Sequence, residues 1–222
     1  MKKSLIVAHY NENLNWLTNI PKDIKIYLYT KGNSDINLYS ENIEIIKLEN
    51  IGNEQHTYFY HINKNYNNLE DIMYFIQAGF EEHSHDLLNK IMNSETGGMS
   101  DINLITTVYG QVGNLNYHKH INHKYTDTFT YENVKDKIFI DPWNNNDAYD
   151  NINYIIDQLP ELNIPKENWI FNANGMYGVT KIEIHKKDIN IYNKCYNMFY
   201  TKPNNINMLE YAFERLNKFI IL

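Results

Sequence analysis

Four short polar segments of this chain carry groups that can do chemistry together. His9-Tyr10-Asn11-Glu12, Thr30-Lys31-Gly32, Asn50 to His56 and Gln77 to His85 each follow a short apolar run. Lys31 supplies an ammonium suited to a phosphate. Glu54 supplies a carboxylate suited to take a proton from a hydroxyl, and His83 and Glu210 are the next candidates for that task. Glu81, Glu82 and His83 combine carboxylate and imidazole, a set that suits Mn²⁺ or Mg²⁺ on a diphosphate. A helix starting near Glu54 would add free backbone N–H groups for an anion. Glu54 itself opposes an anion there, so a ribose, metal or acceptor contact fits it better. The plain alternative for each segment is an ordinary polar loop.

The histidines offer a second kind of chemistry. His83-Ser84-His85 has H-x-H spacing, and His118, His120 and His123 form H-x-H-x-x-H. Residues two apart share a face of a strand and residues three apart share a face of a helix, so either group can present imidazoles to a metal. Neither spacing is specific in a chain with nine histidines. His61 lies on an apolar helical face and reads as a core histidine. Glu214 is spaced to pair with Lys218 on a solvated face, while Glu210 has only Glu214 four residues on. Cys195 falls inside an apolar stripe and reads as packing. No G-x-S-x-G, G-x-x-x-x-G-K-[ST] or G-x-G-x-x-G motif is present.

The elements that must position these groups follow from periodicity. Ser4 to Ala8, Ile24 to Tyr29, Ile43 to Leu48 and Asp71 to Gln77 read as strands, and Ile102 to Val108 as another. Leu14 to Leu17 suggests a short helix stopped before Pro21. Asn53 is placed to cap a helix over Glu54 to Asn65, and Ser84 one over Leu87, Leu88 and Ile91. Tyr109 to Asp147 lacks clear periodicity and reads as an irregular excursion. A helical stripe runs from Tyr149 to Leu159, and Trp169 to Thr180 reads as a bent or paired strand around Gly175 and Gly178. Two closing helices carry Ile189 to Phe199 and Leu209 to Phe219. Strands alternating with helices imply an α/β sandwich with a mainly parallel sheet, in which ligands bind beyond the carboxyl ends of the strands. That rule selects the same four polar segments.

Composition sets the outer bounds. The chain has 222 residues, enough for one domain with a full core. Its mean hydropathy of -0.57 suits a water-soluble protein. The single cysteine excludes an internal disulfide framework and a cysteine-built zinc site. A net charge of -7 disfavours broad nucleic-acid binding, although a local basic groove stays open. No apolar run approaches the ~20 residues that span a bilayer. Ser4 to Ala8 is too short for a signal-peptide core, and a cytoplasmic protein is expected. Asn approaches one residue in six. That excess, with Ile, Lys and Tyr, reflects A/T-rich codons, as in a viral or bacterial source, so Asn runs are not read as sites. A viral protein would work in the host cytoplasm.

Several of these segments together resemble a domain-of-unknown-function family of fungi, bacteria and large DNA viruses. Ile6-Val7-Ala8-His9-Tyr10-Asn11-Glu12 with Trp16-Leu17 resembles its opening V-A-R-Y-N-E-D-x-x-W-L. Ile26 to Gly32 is similar to its I-x-V-Y-N-K-G, and Asn50 to Ile62 to its N-x-G-R-E-x-x-T-Y-L-x-H-I. Phe75-Ile76-Gln77-Ala78-Gly79 with His83 resembles F-L-Q-G and a following histidine. Met176 to Thr180 and Leu209-Glu210-Tyr211 resemble its F-A-V-S and L-E-R elements.

Such proteins look like small glycosyltransferases of the A-type fold. The resemblance implies a single domain over 1–222 that transfers a sugar from a nucleotide-sugar to an acceptor hydroxyl on a glycan, a protein or modified DNA. It implies donor contacts from His9, Tyr10, Asn11, Glu12, Lys31, Gln77 and Gly79. Two departures stand out. Asn53 replaces the usual Arg, and Gln77-Ala78-Gly79 stands near where A-type enzymes carry Asp-x-Asp, so Glu82 and His83 would have to hold any Mn²⁺ or Mg²⁺. The other readings are a metal-dependent hydrolase built on the histidine clusters and a non-catalytic carbohydrate-binding fold.

Overall fold

In the parallel part of the sheet, strands buried on both faces need apolar residues at every position, and the first runs of the chain meet that demand. The structure, a computed structural model, describes residues 1–32, 36, 38–82, 87–93, 105–112, 115–122, 139–140, 145–164, 169–172, 175–204, 206 and 208–221. For 82, 90, 105–150 and 169–172 within those ranges it describes the backbone alone. Strands β1 (Lys3–His9), β2 (Lys25–Thr30), β3 (Ile43–Lys47) and β4 (Ile72–Gln77) form a parallel sheet, and β9 (Tyr177–Thr180) adds an antiparallel edge. The spatial order is β3-β2-β1-β4-β9.

Alternate residues of these strands feed two cores. Ile6, Tyr29, Met73, Phe75, Tyr177 and Val179 face helices α1 (Asn53–Asn65), α3 (Asn145–Gln158), α5 (Ile189–Thr201) and α6 (Leu209–Ile221). Leu5, Val7, Ile26, Leu28, Ile72, Tyr74 and Ile76 face the 3₁₀ turn Asn15–Asn19 and helix α2 (Leu87–Asn93). Each large apolar side chain so buried contributes roughly 1.5–3 kcal/mol. A single turn, α4 (Lys181–Ile184), capped by the Thr180 hydroxyl, follows β9. No helix among the described residues is long and apolar enough to cross a membrane.

Three expectations are corrected. The stretch from Tyr109 to Asp147 takes in the second half of β5 (Ile105–Val112) and all of β6 (Leu115–Asn122), which pair antiparallel, and β7 (Phe139–Ile140), which adds to β6. The spacing between Val112 and Leu115 is that of a two-residue hairpin. The expected strand from Trp169 to Thr180 is two strands in different sheets: β8 (Trp169–Asn172) pairs with β5, and β9 pairs with β4. The cap of α1 is Gly52, which has no side chain to offer, and Asn53 is the first helical residue, with φ +43°. Ser84 lies outside the described residues.

Candidate functional site

The sheet order sets where a crevice opens. From β1 the chain moves outward to β2 and β3, then returns to place β4 on the other side of β1. The connections therefore diverge at β1, and a gap is left beyond the carboxyl ends of the strands. Register keeps those ends level: His9 pairs with Thr30, and Ala8 with Gln77. Past the strands, the Lys31 N–H donates to the His9 carbonyl at 2.9 Å and the Ala78 N–H to the Ala8 carbonyl at 2.8 Å. A cavity of about 320 Å³ fills the gap, lined by Ala8, His9, Tyr10, Glu12, Lys31, Asn50, Asn53, Glu54 and Gln77. All four polar segments contribute to it.

The loop after β1 is held from within. His9 is 4% exposed; its Nε2 lies 3.2 Å from the Glu12 carbonyl oxygen and its Nδ1 3.1 Å from Thr30 Oγ1. A carbonyl only accepts, so Nε2 carries a proton, and Nδ1 is in hydrogen-bond reach of the Thr30 hydroxyl. Both nitrogens are thereby spent inside the protein, and His9 shapes the cavity wall rather than reaching into it. The Tyr10 N–H donates to Glu12 Oε2 at 2.7 Å. Gly32 makes this packing possible, because a Cβ there would overlap the Tyr10 carbonyl and crowd Asn11 Oδ1. Asn11 thus packs on Gly32 and is not among the residues lining the cavity.

Lys31 is positioned by the turn before α1. Gly52 and Asn53 both have positive φ, +58° and +43°, and the chain curls there. The Lys31 ammonium donates to the Ile51 carbonyl at 2.6 Å and to the Asn53 carbonyl. Two of its three donors are used by described residues. Burial pulls its pKa down to about 8, with Glu54 and Glu210 acting in the opposite direction.

Glu54 lies in the first turn of α1 and is partly exposed at the cavity. Burial, with Glu214 and Glu210 adding like charge, pushes its pKa up to about 7. The loop before β9 closes on it from behind. Gly175 has φ +62°, and a Cβ there would stand 3.0 Å from Glu54 Oε1 and 2.8 Å from Gln55 Nε2. Asn217 of α6 donates to Gln55 Oε1 at 3.0 Å, which ties the last helix to the first.

The expected site residues therefore divide. His9, Tyr10, Glu12, Lys31, Glu54 and Gln77 come together around one cavity. Glu210 does not line it, yet its charge reaches both Lys31 and Glu54. Gly79 lines an adjoining cavity with Glu81. His83, His85 and His123, and the side chains of Glu82, His118 and His120, lie outside the described residues. Among the described residues no group of three His, Cys, Asp or Glu is placed to hold a metal ion.

His56, grouped at first with the polar loop, is buried. It lies 3.0 Å from the Tyr200 hydroxyl, stacks on Tyr196 at 5.0 Å, and burial lowers its pKa to about 3. His61 is a core histidine as expected, 2.8 Å from the Tyr29 hydroxyl.

Sequence reasoning missed Gly175 and the part played by Glu214. Glu214 is half-buried and bears on Glu54, not simply a solvated partner for Lys218. The signal was present: Glu210 and Glu214 are like charges at i and i+4, an arrangement an isolated helix does not favour.

A family model described as Protein of unknown function (DUF3431) matches residues 5–221, nearly the whole chain, and the chain belongs to that family. No curated protein and no solved structure matches it.

Proposed function

We propose that this DUF3431 protein is a glycosyltransferase that moves a sugar from a nucleotide-sugar donor to an acceptor hydroxyl. One observation carries the reading: four strand-end segments, far apart in sequence, line a single polar cavity at the point where the sheet connections diverge. In that cavity a carboxylate with pKa about 7 accompanies an ammonium with pKa about 8. The pair matches a displacement that needs a base for the incoming hydroxyl and a positive charge for the departing diphosphate.

In the proposed step the acceptor oxygen attacks the anomeric carbon. The bond from that carbon to the diphosphate oxygen breaks, and its electron pair leaves with the nucleoside diphosphate. The hydroxyl proton passes to Glu54. Lys31, held by the Ile51 and Asn53 carbonyls, turns its remaining N–H toward the diphosphate charge. Tyr10, Glu12, Asn53 and Gln77 contact the donor, while His9 keeps the Tyr10–Glu12 loop in shape. No step is assigned to Mn²⁺ or Mg²⁺.

Isothermal titration with a panel of UDP- and GDP-sugars, with and without Mn²⁺, tests the reading. Saturable binding of at least one, weakened about tenfold or more by Lys31→Ala, is expected. Absence of binding by every member overturns it.

A further inference from the structure

A second cavity, of about 350 Å³, adjoins the first, and Glu12 lines both. The two can meet there because Gly79, at the end of β4, has no side chain. A Cβ at Gly79 would stand 3.3 Å from Glu12 Cγ. The other lining residues include Asn13, Asn15, Trp16 and Glu81. Trp16 is only 8% exposed and meets Phe80 edge-on at 5.0 Å, so its ring forms a fixed wall. Asn13 Oδ1 accepts the Asn15 N–H at 2.8 Å, and the same amide carries two N–H donors. The Asn13 and Asn15 side chains are exposed at the rim.

The two cavities differ in charge. The first sets the Lys31 ammonium beside the carboxylates of Glu12 and Glu54. The second is lined by two carboxylates, Glu12 and Glu81, and by no Lys, Arg or His among the described residues. A phosphate would be repelled there. A neutral ring with several hydroxyls would be well served, because carboxylates accept from hydroxyls, amides both donate and accept, and an indole wall takes a ring face.

We propose that this second cavity is the acceptor subsite and takes a saccharide ring, with Glu12 standing between donor and acceptor. The assignment rests on the transferase reading for the word acceptor, and on the cavity alone for the word saccharide.

Saturation-transfer NMR on the full chain tests it, using methyl α-glucopyranoside, methyl β-galactopyranoside and methyl N-acetyl-β-glucosaminide as probes. At least one glycoside is expected to bind, with its affinity unchanged when UDP or GDP saturates the first cavity. Asn15→Trp, which fills the rim from an exposed position, is expected to weaken that glycoside tenfold or more. Glu81→Gln should weaken it several-fold, and neither variant should alter nucleotide binding. Silence from all three glycosides overturns the proposal, as does displacement of the glycoside by nucleotide or indifference to both variants. If a glycoside binds as described but no nucleotide-sugar does, the saccharide site stands and the donor reading falls.

Discussion

The front wall of the first cavity and the layer behind Glu54 have different origins. The front wall comes from the ends of β1, β2 and β4 and the turn into α1, all within the first 77 residues. Its own side chains line the cavity. Behind Glu54, and not lining the cavity themselves, stand Gly175 and, on α6, Glu210 and Glu214, about 100 residues or more further on. Those two carboxylates act on the site by what they do to Glu54. Under the proposed reading the contrast separates contact from tuning: the front wall would contact the donor, and the rear raises the proton affinity of Glu54.

The largest effect expected at this boundary is that of Glu54→Gln, since Glu54 is the proposed base and both Glu210 and Glu214 bear on it. Transfer should fall about 10²–10⁴-fold, the usual loss for a general base, while donor affinity stays within a few-fold in titration. A loss of donor affinity equal to the loss of rate would move Glu54 into the contact group and blur the distinction.

Gly32→Ala and Gly175→Ala put the same methyl group on either side. At Gly32 it meets the Tyr10 backbone, which cannot swing away. A cost of roughly 2–4 kcal/mol is expected from urea midpoints, together with weaker donor binding. At Gly175 it meets the ends of the Glu54 and Gln55 side chains at φ +62°. There the expected cost is about 1–2 kcal/mol, mostly backbone strain, and rate should suffer more than donor affinity.

The buried histidines behind the front wall give the next effect. His56 and His61 are held near pKa 3 by burial, below their ordinary 6.5. A depressed folded-state pKa contributes stability that is present above 6.5 and lost as pH falls toward 3. Glu54 works the other way: its raised pKa contributes stability below about 4.5 that is lost as pH rises through about 7. For these three groups unfolding takes up about one net proton between pH 4.5 and 6.5 and about two between 3 and 4.5. Denaturant midpoints against pH should steepen below about 4.5. His61→Gln, which removes one titrating group, should flatten the slope by about one proton.

What was legible in the sequence follows the same division. The strands of the front wall are short unbroken apolar runs ended by polar residues, so Lys31, Glu54 and Gln77 could be placed at strand ends from local pattern alone. Asn53 could not be read as a left-handed residue, because that conformation is bound up with Lys31 taking its carbonyl, a contact across 22 residues. The β5–β6 hairpin was hidden by its polar composition, with His118, Lys119 and His120 in mid-strand. Glu214 was hidden for another reason: helical spacing offered Lys218 as a partner, and only the packing of α6 against α1 brings its charge to Glu54.

The smallest expected effect is the sharpest test of tuning against contact. Glu214→Gln keeps the shape of the side chain and removes one negative charge. If Glu214 acts only through its field, the Glu54 pKa must fall, because like charge no longer opposes ionisation. The rate profile should rise with pH on a limb set by Glu54 near 7 and fall on one set by Lys31 near 8. In the variant the acid limb should move downward by a few tenths of a unit, and the alkaline limb should move by less. Burial is the larger cause at Glu54 and the mutation leaves it in place, so the shift must be small and the maximal rate nearly unchanged. A large fall in rate without a moved limb would mean that Glu214 touches substrate, and the division between front wall and rear would have to be redrawn through α6.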